Sequence, residues 1–308
     1  MSKEKLTAYD NLLAQLSSIR RHNNQLSYET RARYYDSMRR FLHYYADEWH
    51  GQKIANVSAK HIYGYVEHLK SRNETSTIKA DLAGIRHYHR LSGSKNILPD
   101  NSKLNIGKVE KGTQNRAWLP EEYKKAVALA DSMGRPDVKY ALRLSWNFGL
   151  RINEIATLRT EQIEKAIQYG DLRIKGKGGQ IRFIPAETDN QKRLLLTLRK
   201  FARANGKHPG DYLLCDSKHR SALSLKRSLQ NWIANHREKI LSGNRKLSVK
   251  IGEKPRIEKI SMHGLRHSYA QNTEKRLRAE GRRNVDKTVS ENLGHHRLDI
   301  TKIYKAQK

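Results

Sequence analysis

The sequence predicts a mainly α-helical protein with one small antiparallel β-sheet: a helical N-terminal domain over 1–95, a basic interdomain linker over 96–118 and a mixed α+β domain over 119–308. Three observations predict it. Apolar and aromatic residues recur at helical spacing from Leu6 to about Ser92. Between Gly93 and Leu119 that periodicity disappears into Gly, Pro, Asn, Ser and Lys. Farther on, "DLRIKGKGGQIRFIP" alternates polar and apolar residues on both sides of a glycine-rich turn, the pattern of a β-hairpin.

The elements follow in order. "LSYETRARYYDSMRRFLHYYADEW" opens with a capping-box pattern, Ser27 with Thr30 and Glu29 nearby, and continues through Tyr34, Met38, Phe41, Leu42 and Tyr45 at helical spacing. "VSAKHIYGYVEHLKSR" starts from Ser58 as N-cap, and "ETSTIKADLAGIRHYHRLSG" runs to a stop at Gly93. The result is a bundle of about four helices. Its tyrosines are expected to be mostly packing residues, while Arg39, Arg40, Lys79 and Arg86 could line one face against phosphates. The stretch 96–118 reads as an extended, basic interdomain tether. After "LPEE", the segments "PEEYKKAVALADSM" and "PDVKYALRLSWNFG" read as helices, and the hairpin follows with its tip at Gly176 to Gly179. Helices are expected from Thr188 to Ala204 and from Ser221 to Ile240, then a basic, poorly periodic stretch before "SMHGLRHSYAQNTEKRLRAEG". No internal repeat is found.

Charge narrows the partners. The 61 Lys and Arg against 31 Asp and Glu leave 61 − 31 = +30, spread among hydrophobic helices rather than confined to a tail. A folded surface with that excess suits a long polyanion, nucleic acid first and an anionic membrane second. The membrane reading fails, because no apolar run approaches the roughly 20 residues that span a bilayer. "MSKEKLTAYD" also lacks a signal peptide's hydrophobic stretch, so the expected location is cytoplasmic and nucleoid-associated. A single cysteine, Cys215, excludes an internal disulfide framework and a multi-thiolate zinc site, and reads as a small buried hydrophobe. His263 with His267 and His295 with His296 make a zinc site conceivable, but no cysteine partners and no H-E-x-x-H helix accompany them. No metal and no other cofactor is expected.

Four motifs occur in a fixed order: "FGLRINEIATLR", "IKGKGGQIRFIP", "MHGLRHSYA" and "LGHHRLDITKIY". Together they resemble the catalytic domain of the tyrosine recombinase (phage-integrase) family of site-specific recombinases, and the N-terminal bundle resembles that family's SAM-like core-binding domain. The resemblance covers essentially the whole chain, by motif in the second half and by architecture in the first. It implies a two-domain clamp around duplex DNA, cleavage through a 3′-phosphotyrosine, strand exchange through a Holliday junction in a tetramer, and a site flanked by inverted repeats. It also implies a role in a mobile genetic element and allows a directionality or DNA-bending accessory factor. Residue by residue, Arg151 and Arg266 match the arginines that grip the non-bridging oxygens of the scissile phosphate. Lys177 matches the lysine that protonates the departing 5′ oxygen, and His263 the residue placed near the nucleophile for proton transfer. His295 would hydrogen-bond a phosphate oxygen, Tyr304 would be the nucleophile, and Glu154 matches the acidic residue that braces the centre. From its i, i+3 spacing, Glu154 is expected on the same helix face as Arg151.

The chemistry explains the residue types. A phenol can hold a phosphoryl group as an ester whose energy is kept for religation. Charge that develops on two phosphate oxygens calls for rigid cationic forks, and arginine binds phosphate bidentately. The imidazole has the unperturbed pKa nearest working pH. Each residue also has an ordinary alternative. Arg151 could be one of many surface arginines, "GKGG" an ordinary turn, and Tyr304 an aromatic packing on its own helix; the agreement of order, spacing and type at six positions outweighs these. Two departures from the family pattern stand out. Only "KAQK" follows Tyr304, so protomer contacts are expected from another segment, and the stretch between Arg266 and His295 is long and basic. No arm-binding domain is expected before Leu6. The rival readings are a type IB topoisomerase that relaxes supercoils, a catalytically inactive DNA-binding protein of the same fold, and, remotely, a membrane-surface or RNA-binding protein.

Overall fold

A computed structural model describes residues 7–23, 25–109, 115–243 and 260–294, with the backbone alone at Lys177. The chain forms two compact units, Met1–Glu110 and Lys111–Lys308, each around its own hydrophobic core.

The first unit is a bundle of α1 (Ala8–Arg21), α2 (Tyr28–Trp49), α3 (Ala59–Lys70) and α4 (Thr75–Leu91). Helix α1 starts with Thr7, whose hydroxyl accepts from the Asp10 N–H while Asp10 accepts from the Thr7 N–H, so two orphan donors are satisfied reciprocally. Ser27 caps α2 by accepting from the Thr30 N–H. The helical periods deliver Leu12, Leu16, Met38, Phe41, Leu42, Ile62, Val66, Leu82 and Ile85 to one core, and Tyr45, Tyr65 and Tyr88 are buried with them. Burial pushes the Tyr65 phenol up to about 12, with the Asp81 charge adding to the rise. Gly84 lets α4 lie against α2, since a Cβ there would stand 2.9 Å from the Ser37 Cβ and 3.0 Å from the Tyr34 Cα.

Two of the expected DNA-facing cations serve this unit's own structure. Arg40 donates to the buried Asp81 at 2.6 Å, beside the Ser37 hydroxyl at 2.8 Å. Arg86 donates from Nε and Nη2 to the Pro99 carbonyl at 3.0 and 2.7 Å, and again to Asn101 Oδ1 at 3.0 Å. Lys79 reaches the Gly107 carbonyl at 2.8 Å, whereas Arg39 is exposed, with Asp36 at 4.0 Å. The same bonds change the picture of the stretch expected to be an extended tether. Its residues 98–106 lie on the bundle, through a 3₁₀ turn at Asn101–Leu104 capped by Asp100, with Leu104 buried in the core. Ala117 and Trp118 are buried in the second unit. A few apolar side chains and one guanidinium suffice to dock a segment that lacks periodicity.

The second unit contains α5 (Pro120–Ser132), α6 (Pro136–Phe148), α7 (Ile152–Ala156), α8 (Thr160–Tyr169), strands β1 (Asp171–Lys175) and β2 (Ile181–Pro185), then α9 (Asp189–Ala204), α10 (Ala222–Ile240), α11 (Met262–Ala279) and α12 (Val285–Leu293). Proline begins both α5 and α6, where its missing N–H costs no helical bond. The strands pair antiparallel in the register Leu172↔Ile184 and Ile174↔Arg182, so Leu172, Ile174 and Ile184 turn to the core while Ile181 and Phe183 face outward. The tip needs glycine, because Gly178 and Gly179 sit at φ +74° and +80°. Cys215 is buried in the core, as expected of a small hydrophobe. No helix among the described residues is long and apolar enough to cross a membrane.

Candidate active site

Helix α6 ends at Gly149 in the left-handed conformation, φ +61°. Only glycine fits there, since a Cβ would lie 2.4 Å from the Tyr269 ring. Leu150 then drops into the core and Arg151 becomes the N-cap of the five-residue α7. Arg151 and Glu154 therefore meet through a cap rather than along one helix face, which is the physical reason the two side chains converge. Glu154 Oε2 accepts the Arg151 backbone N–H at 2.8 Å, and Oε1 accepts from Arg151 Nη1 at 2.9 Å.

The same carboxylate receives a second guanidinium. Arg182, from β2, donates Nη1 to Glu154 Oε1 at 2.9 Å and Nη2 to Oε2 at 2.7 Å, a bidentate pair, and its Nε donates to the Asn292 carbonyl at 2.8 Å. Glu154 is only 6% exposed. Burial by itself raises a carboxyl pKa. Here the Arg182 hydrogen bonds and charge, the Arg151 N–H and the Arg266 charge outweigh it and hold Glu154 at about 2.

Arg266 lies one turn into α11 and is fully buried at 0% exposure. Its Nη1 donates to the Gly149 carbonyl and its Nη2 to the Leu293 carbonyl, fastening the turn before Arg151 to the last turn of α12. Two free carbonyls at the C-terminus of α12 are thus capped by arginines, Asn292 by Arg182 and Leu293 by Arg266. Tyr269, in van der Waals range of Gly149, accepts from Asn292 Nδ2 at 3.2 Å and holds the same junction from the other side. Arg151 and Arg182 pair with the one carboxylate and Arg266 adds its charge nearby, so the cluster keeps an excess of two positive charges, 3 − 1. Such a surplus on rigid forks suits an anion with several oxygens.

His263 stands three residues before Arg266 on α11, with the buried His267 ring edge-on at 5.2 Å. Desolvation, reinforced by the charges of Arg266, Arg151 and Arg116, pushes its imidazole down to about 4. The ring is therefore neutral at physiological pH and able to accept or pass a proton. Lys177 occupies the hairpin tip, and the root of that hairpin abuts the carboxylate: a Cβ at Gly176 would be 3.4 Å from Arg182 Nη1 and 3.6 Å from Glu154 Oε1.

Of the residues expected from sequence, Arg151, Glu154, His263 and Arg266 come together. His295 and Tyr304 lie outside the described residues. Arg182, Tyr269 and Asn292 were not singled out by sequence. The signal for Arg182 was in the alternation of "QIRFIP", which turns position 182 to the same face as Ile184. An arginine turned inward must find a carboxylate or carbonyls. The long stretch after Arg266 forms the rest of α11 and α12, and there Arg276, Arg278 and Arg282 pair with Glu187, Glu274, Glu280 and Asp286.

Residues 119–308 match the Phage integrase family, and residues 11–94 match its N-terminal SAM-like domain. A curated relative, Tyrosine recombinase XerC of Natranaerobius thermophilus, is 25% identical over 289 residues, covering 91% of this chain and 88% of its own. Two solved structures share the fold. A lambda integrase dimer bound to a COC′ core site matches with a TM-score of 0.65 at 16% identity, over 96% of this chain and 95% of that one. The XerH site-specific recombinase bound to its difH substrate matches at 0.64 and 18%, over 100% and 95%. With the family matched on both compact units and with arginines, histidine and carboxylate assembled where the motifs put them, the chain belongs to the phage integrase family and is a tyrosine site-specific recombinase.

Proposed function

We propose that the protein cleaves and rejoins duplex DNA through a 3′-phosphotyrosine and a Holliday junction, in the service of a mobile genetic element. The observation that carries the reading is the meeting of Arg151 and Arg266, 115 positions apart in sequence, around a neutral His263 and an ionised Glu154. Arg151 and Arg266 bind the non-bridging oxygens of the scissile phosphate, and Glu154 fixes the Arg151 fork. Tyr304 Oη attacks phosphorus and its proton passes to the neutral His263. As the O–P bond to tyrosine forms, the P–O5′ bond breaks, and Lys177 Nζ gives a proton to the departing oxygen. His295 donates to a phosphate oxygen. A 5′ hydroxyl of the partner duplex then reverses the step and reseals the strand. No metal or nucleotide cofactor takes part, because the ester stores the bond energy.

The 1–95 domain serves as the core-binding domain, with exposed Arg39 among its phosphate contacts, and 119–308 as the catalytic domain. Affinity rests mainly on phosphates and falls steeply with salt. A lambda integrase tetramer bound to a Holliday junction shares the fold at a TM-score of 0.66 and 14% identity, which supports a tetramer acting through a Holliday junction. The experiment uses the full-length protein and a core site recovered from a random duplex pool by repeated retention on it. On a nicked suicide version of that site, wild type is expected to accumulate a covalent adduct and Tyr304→Phe to bind equally but form none. An adduct that persists in Tyr304→Phe removes that tyrosine from the role. Relaxation of supercoiled plasmid without partner DNA would instead favour the topoisomerase reading.

A further inference from the structure

The geometry points to Arg182 as the positioning residue that sets the hairpin, and with it Lys177, against the phosphate-binding arginines. The inference rests on the assignment of Lys177 as the proton donor to the 5′ oxygen.

Three observations carry it. First, Arg182 is the one described residue of the hairpin that bonds the Glu154 carboxylate, and it does so with two nearly equal contacts, 2.9 and 2.7 Å. Glu154 holds Arg151 by two more, so one buried carboxylate ties the hairpin to a phosphate-gripping fork within a single hydrogen-bonded unit. Second, the Arg182 Nε bond to Asn292 fastens the same strand to the C-terminus of α12, whose next carbonyl is held by Arg266. Both phosphate arginines thus share a partner element with Arg182. Third, the packing leaves no slack on either side of the guanidinium. A Cβ at Gly294 would come within 3.0 Å of Arg182 Cδ, and one at Gly176 within 3.4 Å of its Nη1.

Among the described residues no further strand braces the two-stranded sheet, and its outer face carries exposed Ile181 and Phe183. On the inward face Leu172, Ile174 and Ile184 pack in the core, and the pair nearest the tip is Ile174 with Arg182, of which Arg182 carries the bonds to Glu154. Arg182 lies five residues after Lys177, on the far side of a tip made of glycines with positive φ. Such a tip bends easily, so the base of the hairpin is where its aim is decided. A displacement of about 1 Å in the donor suffices to cost about 100-fold in rate.

The test uses the full-length protein on its nicked core site in two chemical forms, an ordinary 5′ oxygen and a 5′-bridging sulfur at the scissile position. Sulfur leaves as a thiolate and needs no proton. Lys177→Ala is expected to be slow on oxygen and restored on sulfur, which defines the signature of a lost acid. Arg182→Met is expected to bind the site as wild type, to cleave oxygen about 100-fold more slowly, and to recover most of that loss on sulfur. Arg182→Lys, which keeps the charge but not the fork, is expected to lie between them with the same recovery. An Arg182→Met defect equal on both substrates, while Lys177→Ala is restored, overturns the inference and leaves the lysine's role intact. If Lys177→Ala itself is not restored, the lysine is not the acid and the proton-donor reading fails instead. Failure of both Arg182 variants to fold assigns the residue to stability alone and also overturns it.

Discussion

Glu154→Gln is the perturbation that most directly tests how the candidate active site is held. The carboxylate accepts four hydrogen bonds, from the Arg151 N–H, Arg151 Nη1 and both terminal nitrogens of Arg182, and it is almost completely buried. Its pKa is held at about 2 against the ordinary 4.5. At about 1.36 kcal/mol per unit, that displacement is about 3 kcal/mol in favour of the ionised form. The glutamine has the same shape but no charge, and one of its ends is a donor facing a guanidinium. Its expected cost at pH 7 is therefore about 3 kcal/mol, consistent with breaking a buried pair by neutralising one partner. The sign of the pH dependence follows. The folded pKa is depressed, so the stabilisation is complete above about 4.5 and drains away as pH falls toward 2; at pH 3 about half of it is left. Urea unfolding of wild type and Glu154→Gln at pH 7 and pH 3, followed by tryptophan fluorescence, should show the gap between them narrowing by about half. A gap below about 1 kcal/mol at pH 7, or one that does not narrow in acid, would refute the view that a single ionised carboxylate pins both arginines.

Other expectations are simpler to read. His263 is held at about 4 by desolvation and by the charges of Arg266, Arg151 and Arg116, so single-turnover cleavage should stay level from pH 8 down to about pH 5 and fall only as the ring gains its proton. An acidic midpoint near 6.5, abolished in His263→Gln, would show that those charges do not act on the ring. In the N-terminal bundle, Gly84→Ala should destabilise by about 1–3 kcal/mol despite alanine's better helix propensity of about 1 kcal/mol, because its methyl would meet Ser37 and the Tyr34 backbone. A raised urea midpoint in that variant would mean that α2 and α4 can separate at no cost.

Most of the local structure was legible in the chain. The spacing of Met38, Phe41, Leu42 and Tyr45 delivers those side chains to the bundle core, and Thr188 and Ser221 cap the helices that begin beside them. The alternation in "DLRIKGKGGQIRFIP" yields the observed register and glycine tip. Helices α8 and α12 were missed, the first between a short turn and the hairpin, the second inside a run of charges whose amphipathic face shows only through Val285, Val289 and Leu293. The tether reading of 96–118 held neither at Leu104 nor at Trp118, whose single large side chains are too sparse to form a period and yet bury well.

What the sequence determined by itself is everything that depends on near neighbours: helical and strand periods, caps, turns that require glycine, the +30 charge, and the order of motifs that marks the family. What only the tertiary structure decided is which of 61 cations does what. Arg86 and Arg266 both stand on helices among apolar residues, yet one clamps Pro99 to its own bundle and the other joins Gly149 to Leu293 in the candidate active site. A guanidinium carries no local signal of its partner. Its role is set by the carbonyls and carboxylates that folding brings within about 3 Å, and these come from parts of the chain that no short-range pattern connects.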